Sequence, residues 1–335
     1  MKKLIYLFVL LTVGLSAKAQ VLGSDFETVV AAGKQDASTL MGAYINPAME
    51  GLIFAMNGGW YHTAKTHKKF GFDISLAVNA SMVSSDKENF NITDFDYEGT
   101  VVATPGTTPT VMGSGDPATI TYVTSDGAET VEFEMPEGIK DDLPLNAVPA
   151  PTLQATVGLF YDTDVSLRYT PKVGDESVKG QLYGVGLKHN LMQYFGPLDK
   201  LPLNVAIMAG YTNMTVDYDI EDGSTFDGSN QRAEFSLDSY TVQAVASLDF
   251  PFVTLYGGLG YAGGKSSLGV LGTYVVEYNG GETETIVDPI SLSYNPGGVR
   301  ANLGASLNLA FFHIFADYTI QDYSNLTAGV AFSFR

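Results

Sequence analysis

The sequence contains no cysteine, one tryptophan and four histidines in 335 residues. Without cysteine the chain can form no disulfide and can carry no lipid on an N-terminal cysteine. Structural zinc sites usually need cysteine or closely spaced histidines, so no metal and no cofactor is expected. Basic residues are also scarce, because 18 Lys and Arg stand against 37 Asp and Glu and the formal net charge is −19. This balance excludes nucleic acid, which requires a basic face, as a partner.

Long apolar runs are absent beyond the first residues, which excludes spanning helices in the rest of the chain. Lys2 and Lys3 precede the apolar stretch 4–15, and Ala17-Lys18-Ala19 provides a cleavage motif. Residues 1–19 are therefore interpreted as a secretory signal peptide that is cleaved before Gln20. An exported chain without spanning helices can cross a membrane only as a closed barrel of strands.

The last ten residues, LTAGVAFSFR, alternate large apolar side chains with small or polar ones. This period of two is typical of a strand with one lipid-facing side, and about ten residues suffice to cross a bilayer when tilted. Phe332 and Phe334 resemble the C-terminal signal by which bacterial outer-membrane barrels are recognised, so we expect the barrel-assembly machinery to be a partner. The 36 Gly, 19 Tyr and 19 Phe also suit such strands.

Eleven strand-like segments follow one another, and two more are possible at 268–278 and 286–294. The eleven are 52–62, 70–83, 153–161, 164–171, 181–190, 203–219, 233–249, 252–263, 299–310, 312–321 and the C-terminal strand. We therefore predict an all-β fold, an antiparallel transmembrane β-barrel of about 12–14 strands that spans 51–335. Long and short links alternate, which supports a barrel over a soluble sandwich, and the acidic insert 84–150 is assigned to the extracellular side. This insert holds thirteen acids and two lysines, and a hairpin at 119–123 and 129–134 is an option within it.

Residues 20–50 do not alternate and form a separate predicted unit, a short helical plug or tail. Ser24 and Glu27 have the spacing of a capping box, and Pro47 is expected to end the regular structure. The candidates that would fill the lumen are Phe26, Val29, Val30, Leu40, Tyr44, Asn46 and Pro47.

Aromatic residues near strand ends are interpreted as the girdles of a membrane barrel, and a carbohydrate-stacking site is the alternative. The girdle candidates are Trp60, Tyr61, Tyr211, Tyr256 and Phe312. A loop that contains Asp217, Asp219, Glu221 and Asp222 is a candidate for weak divalent-cation binding, although it lacks the spacing of an EF-hand. The glycine pattern of Gly258 to Gly263 is interpreted as strand glycine, because a dinucleotide site needs a helix after it. No catalytic motif is found, and no enzyme activity is expected.

Several segments together resemble a family of uncharacterised outer-membrane β-barrel proteins of Bacteroidota-type bacteria. They are residues 57–73, Tyr183 to His189, Tyr256 to Tyr261 and the C-terminal strand. The general plan, a helical N-terminal segment followed by a barrel, is also similar to long-chain fatty-acid outer-membrane transporters and, more distantly, to barrels associated with secretion systems. The first family has no assigned activity, so the resemblance implies a fold and a location but no functional residue.

Three functional hypotheses remain at this stage. The first is a channel or transporter for a small solute, hydrophobic ones included, in the outer membrane of a Gram-negative bacterium and in contact with its lipids. The second is a structural barrel that presents acidic loops to a surface partner, with a secretion system as one option. The third, a soluble β-rich periplasmic protein, is disfavoured by the C-terminal strand.

Overall fold

The protein is described by a computed structural model that covers residues 29–30, 32–143, 145–174, 178–196, 202–220, 227–277 and 283–334. The predicted signal peptide, Ser24, Phe26 and Glu27 lie outside these residues. One long helix, α1, comprises Gly33–Met56. The strands are β1 Phe72–Met82, β2 Asn89–Asn91, β3 Thr100–Thr104, β4 Thr107–Pro109, β5 Thr119–Val123, β6 Thr130–Glu134, β7 Ala147–Gly158, β8 Thr163–Gly174, β9 Val178–Asn190, β10 Leu203–Asp219, β11 Gly228–Asp249, β12 Val253–Glu277, β13 Thr283–Val287, β14 Ile290–Tyr294, β15 Gly297–Leu309, β16 Phe312–Ile320 and β17 Asn325–Phe334.

Ten antiparallel strands close into a ring in the order β1, β7 to β12, β15, β16 and β17. The closing pair joins β1 to β17, with Phe72 opposite Phe334 and Ser81 opposite Asn325. The predicted antiparallel barrel is confirmed. The sheet has twelve strands in all, because β13 and β14 pair with the far part of β12 without entering the ring. The ring itself therefore falls short of the expected 12–14 strands.

Alternation along the strands turns apolar side chains outward and polar ones inward. In β1, Phe72 and Ile74 are 43% and 46% exposed, whereas Asp73, Ser75 and Asn79 are buried in the interior. This is the reverse of a soluble protein, where apolar residues fill the core. An outer surface of this kind is typical of strands that face lipid.

The two ends of the barrel differ in their connections. At one end, here the short-turn end, residues 159–162, 250–252 and 310–311 join consecutive strands. At the other, the long-loop end, lie the insert between β1 and β7 and the β13–β14 hairpin. β11 and β12 have 22 and 25 residues, about twice what a bilayer crossing needs, so they extend past the barrel at the long-loop end.

The insert is ordered and contains two small sheets, β2–β4 and β3–β5–β6. The β5–β6 hairpin confirms the predicted one. The insert packs against the first half of α1 and against β12 to β14, in what we call the loop-end cluster. Its buried residues are Val29, Val30, Ala32, Ala37, Leu40, Met41, Tyr44, Ile92, Ala118, Ile120, Tyr122, Phe133, Met135, Val270, Tyr274, Val276, Ile286, Ile290 and Leu292.

Two predictions about the N-terminal part are wrong. Pro47 does not end the helix but lies inside it, and residues 52–56, predicted to begin a strand, form its last turns. The domain boundary placed at 50/51 therefore falls within α1. Proline removes one helical hydrogen bond, but α1 packs on β1, β7, β11, β12 and β14, and these tertiary contacts outweigh the local cost. Among the described residues, no helix is both long and apolar enough to cross a membrane.

Candidate functional site in the barrel lumen

Residues 33–71, which we call the lumen segment, run from the loop-end cluster through the barrel interior. Near its start, Lys34 Nζ lies 3.5 Å from the carbonyl oxygen of Val287 at the long-loop end. Near its end, the backbone N–H of Phe70 donates to the carbonyl of Gly158 at the short-turn end, at 2.7 Å. The segment therefore runs the whole height of the barrel before β1 begins.

Two arginines on the barrel wall hold the C-terminal end of α1. Arg168 donates to the carbonyls of Met56 and Gly58, at 2.8 and 2.7 Å, and Arg300 donates to that of Asn57 at 2.7 Å. Carbonyls at the end of a helix lack intrahelical partners and carry partial negative charge, which guanidinium groups neutralise well. Both arginines are buried, at 0% and 3% exposure, so these contacts are shielded from water. The end of α1 is thus fixed at a defined height in the lumen.

Trp60 lies beside this arginine pair, between a guanidinium group and two wall glycines. Its ring is stacked on the Arg168 guanidinium, whose central carbon lies 3.6 Å from the ring centroid. On the wall, Gly186 and Gly210 face each other in neighbouring strands, and we call this pair the glycine seat. A Cβ on either glycine would lie 2.8 or 2.6 Å from Trp60 ring atoms, which is too close. The absence of side chains at Gly186 and Gly210 therefore leaves room for the Trp60 indole.

Tyr61 and Tyr256 add polar contacts in the same layer. The Tyr61 hydroxyl lies 2.9 Å from Gln243 Oε1 and 2.8 Å from Asn302 Oδ1, and the Tyr256 hydroxyl donates to Asp317 at 3.0 Å. The girdle assignment of Trp60, Tyr61 and Tyr256 is therefore wrong, because all three are buried inside the barrel. Trp60 and Tyr61 are not on a strand at all, and Tyr256 occupies an inward position of β12.

The other predicted aromatics lie on the outer side of the barrel. Tyr211 is 39% exposed and bonds to Asp238, and Phe312 packs on Phe332 with ring centroids 5.1 Å apart. Phe334 stacks on Phe72 at 5.1 Å across the closing pair of strands. Aromatic rings thus collect at the short-turn end, where Phe70 and Phe160 are also exposed.

A cluster of charged groups occupies the lumen near the short-turn end. His67 bridges two strands, with Nδ1 3.1 Å from Asp164 and Nε2 3.2 Å from Asp73. Lys188 lies 3.2 Å from Asp164 and donates to the carbonyls of the segment at residues 63 and 65. The His67 ring thus joins Asp164 of β8 to Asp73 of β1. The segment is therefore held at this end by ionic contacts.

Two cavities lie on opposite sides of the layer that contains Arg168 and Trp60. A cavity of about 560 Å³ opens at the short-turn end, and Trp60, His62, Lys188, Met208 and His313 are among its walls. A groove of about 1090 Å³ lies at the long-loop end between α1, the insert and β14. Residues 48–56 of α1, which pack on the wall, and the Arg168–Trp60 stack lie between them.

The predicted plug residues lie mostly at the long-loop end. Val29, Val30, Leu40 and Tyr44 belong to the loop-end cluster, and the Tyr44 hydroxyl donates to the carbonyl of Glu137 at 2.7 Å. Asn46 and Pro47 border the groove there. The residues that occupy the middle of the lumen, from Ile53 to Ala64, were missed. Their signal was present in the sequence, because two glycines, a tryptophan and a tyrosine in succession break the strand alternation.

The candidate cation loop gains no support among the described residues. Asp217 pairs with Lys172 at 2.7 Å and Asp219 with Lys179 at 3.9 Å, so each carboxylate faces a lysine. Glu221 and Asp222 lie outside the described residues. Within the part of the chain that the structure covers, no group of three His, Asp or Glu could hold a metal ion.

Comparison with solved structures finds several outer-membrane barrels. Ail, the attachment invasion locus protein of Yersinia pestis, is 12% identical with a TM-score of 0.27, over 80% of this chain and 100% of its own. The outer-membrane protease OmpT of Escherichia coli is 9% identical with a TM-score of 0.28, over 81% and 100%. A FadL homologue of Pseudomonas aeruginosa is 12% identical with a TM-score of 0.20, over 85% and 96%. Likenesses this low say nothing about function.

No curated protein matches the chain. A family model does match residues 1–334, almost the whole length. The chain belongs to this family, the family of unknown function DUF6588.

Proposed function

We propose that the protein is an outer-membrane channel for a small solute, closed in this conformation by its own lumen segment. The apolar outer surface of the ring suits a bilayer, and aromatic rings collect at the short-turn end. In bacterial barrels short turns face the periplasm and long loops face outward. We therefore place the short-turn end in the periplasm and the loop-end cluster outside the cell.

The observation that carries this proposal is the pair of cavities on either side of one closed layer. The outer groove borders α1 as far as Pro47 and the periplasmic cavity begins at Gly59, so residues 48–56 of α1, packed on the wall, and the Arg168–Trp60 stack separate them. A tilt or partial unwinding of this part of α1 would connect them.

The periplasmic cavity indicates the kind of solute. Its volume is that of a site for one small molecule, since ligand pockets usually measure about 300–1,000 Å³. Trp60 and Met208 provide apolar surface, while His62, Lys188 and His313 provide polar groups. A solute with a hydrophobic body and one polar or anionic group fits this combination.

The test is to lock the segment in place. A Cβ built on Gly51 of α1 lies 3.4 Å from Cβ of Val148 on β7, close to the spacing of a disulfide. Because the chain has no cysteine, G51C/V148C would form one defined bond. It is combined with R168M and R300M, which loosen the layer, and ionic current is recorded in planar bilayers.

We expect R168M/R300M to conduct more than the wild type, the oxidised cysteine pair to suppress that current, and reduction to restore it. The single variants G51C and V148C, in the same background, serve as controls that oxidation should not affect. A folded R168M/R300M barrel without current, or an oxidised barrel that conducts as well as the reduced one, would overturn the proposal.

The ordered insert favours a second candidate, a barrel that presents an acidic surface to a partner. Exposed acids on the insert, Asp94, Asp96, Glu132 and Glu134, face solvent rather than the loop-end cluster. Neutralising these four to Asn or Gln would leave assembly and current unchanged but abolish cross-linking to a surface partner in intact cells. Unchanged cross-linking would contradict this candidate.

A further inference from the structure

We propose that the barrel carries its own N-terminal part outward, so that the start of α1 is displayed at the cell surface. This inference rests on the membrane orientation proposed above, but not on channel activity. What crosses the barrel in this proposal is a segment of the same polypeptide, not a solute.

The direction of the lumen segment is fixed by contacts along its length. At the long-loop end, buried Asp36 accepts from the backbone N–H groups of Glu98 and Gly99 in the insert, both at 2.9 Å. Midway, Asn57 Nδ2 donates to the carbonyl of Gly263 at 3.2 Å. At the short-turn end, the N–H of His67 donates to Asp164 at 2.9 Å. The chain thus runs from the long-loop end to the short-turn end.

The segment makes this crossing once. It continues directly into β1, whose first residue lies at the short-turn end and pairs with Phe334. A segment that entered from the periplasm would have to begin at the short-turn end, whereas α1 begins beside β13 and the insert. In a barrel with the short turns in the periplasm, the start of α1 and the described residues just before it, Val29, Val30 and Ala32, therefore belong to the outer side.

The outer end of the segment is also anchored there. Val29, Val30 and Ala32 are buried in the loop-end cluster, together with residues of the insert and of β12 to β14. These partners exist only outside the ring, so the N-terminal part reaches its position by moving outward through or with the forming barrel. Any peptide placed before it should follow the same route.

Labelling of single cysteines in intact cells tests this inference, because the natural chain has none. Lys34→Cys reports the outer end of the segment and Lys65→Cys its periplasmic end, and both positions are exposed. Ser125→Cys, at the exposed turn between β5 and β6, is the marker for the insert. The reagent is a maleimide polymer too large to enter the lumen, and heat-modifiable migration in gels confirms that each variant is folded.

We expect K34C and S125C to react in intact cells and K65C only after the outer membrane is permeabilised. Reaction of S125C without K34C would overturn the inference, because α1 would then start in the periplasm. Reaction of K65C but not S125C would overturn the orientation itself. Since no current is measured, failure of the channel proposal would leave these outcomes unchanged.

Discussion

The guanidinium of Arg168 covers the ring of Trp60 at 3.6 Å while it binds the carbonyls two and four residues before that tryptophan. One wall residue thus fixes the helix end and the aromatic side chain that follows it. Because both contacts depend on one side chain, Arg168 is the first residue to substitute.

Replacing Arg168 with methionine should lower the stability of the folded barrel by about 2–5 kcal/mol, because two buried carbonyls lose their charged donor. The midpoint of heat-modifiable gel migration measures the loss. Arg232→Met is the matched control, since Arg232 is half exposed and pairs with Glu234 at 2.8 Å. Equal effects of the two changes would contradict the capping role of Arg168.

Gly210→Ala should destabilise the barrel by about 1–3 kcal/mol through overpacking against Trp60. Its added methyl would lie 2.6 Å from the indole. Trp60→Leu in the same chain should recover part of the loss, and a double-mutant cycle would show the coupling. Gly298→Ala, at a glycine with no atom within 4 Å of an added Cβ, should be nearly neutral. Additive effects of G210A and W60L would contradict the glycine seat.

His67→Gln should lower the stability of the barrel by about 1–3 kcal/mol, because two buried carboxylates lose a partner. The His67 ring lies 3.1 Å from Asp164 and 3.2 Å from Asp73. The midpoint of heat-modifiable gel migration measures the loss. His189→Gln, at a histidine outside the Asp73–Asp164 cluster, is the matched control. Equal effects of the two changes would contradict the bridging role of His67.

Asp36→Ala should release the insert from the start of α1 without opening the barrel. The carboxylate is 1% exposed and accepts two backbone N–H groups of the insert, and these donors would be left unpaired. Limited proteolysis in proteoliposomes should then cleave the insert several-fold faster, because local opening needs less free energy. Lys34→Ala, at an exposed neighbouring position, provides the control. Faster cleavage within the barrel strands as well would contradict a local effect.

The ring strands could be predicted because their pattern is set by lipid on one side and a polar interior on the other. Ten of the eleven expected segments correspond to the ten strands of the ring, and residues 326–335 match β17 within one residue. The extra strand expected at 268–278 proved to be the continuation of β12. The predicted strand ended at Gly263. In the structure β12 continues through Gly264, where the missing side chain lets Ile53 of α1 pack closely on the wall.

The lumen could not be predicted from the same pattern. Leu52, Ile53 and Phe54 resemble a strand, yet a chain that crosses the centre of a barrel has no strand beside it to pair with. A helix satisfies its own backbone groups, so the interior selects that conformation. Similarly, the residues next to Trp60 in the sequence do not indicate that its ring packs on Gly186, Gly210 and Arg168, which lie on three different strands.

The lumen segment is fixed at both of its ends, outside through the loop-end cluster and at the short-turn end by its covalent link to β1. A chain tethered in this way cannot be expelled as a separate plug domain can. It can only shift sideways against the wall or unwind part of α1 between its two attachments. Opening should therefore change the tilt or length of one helix rather than the number of contacts at its ends, and spin labels at opposite ends of α1 would register a change in their separation.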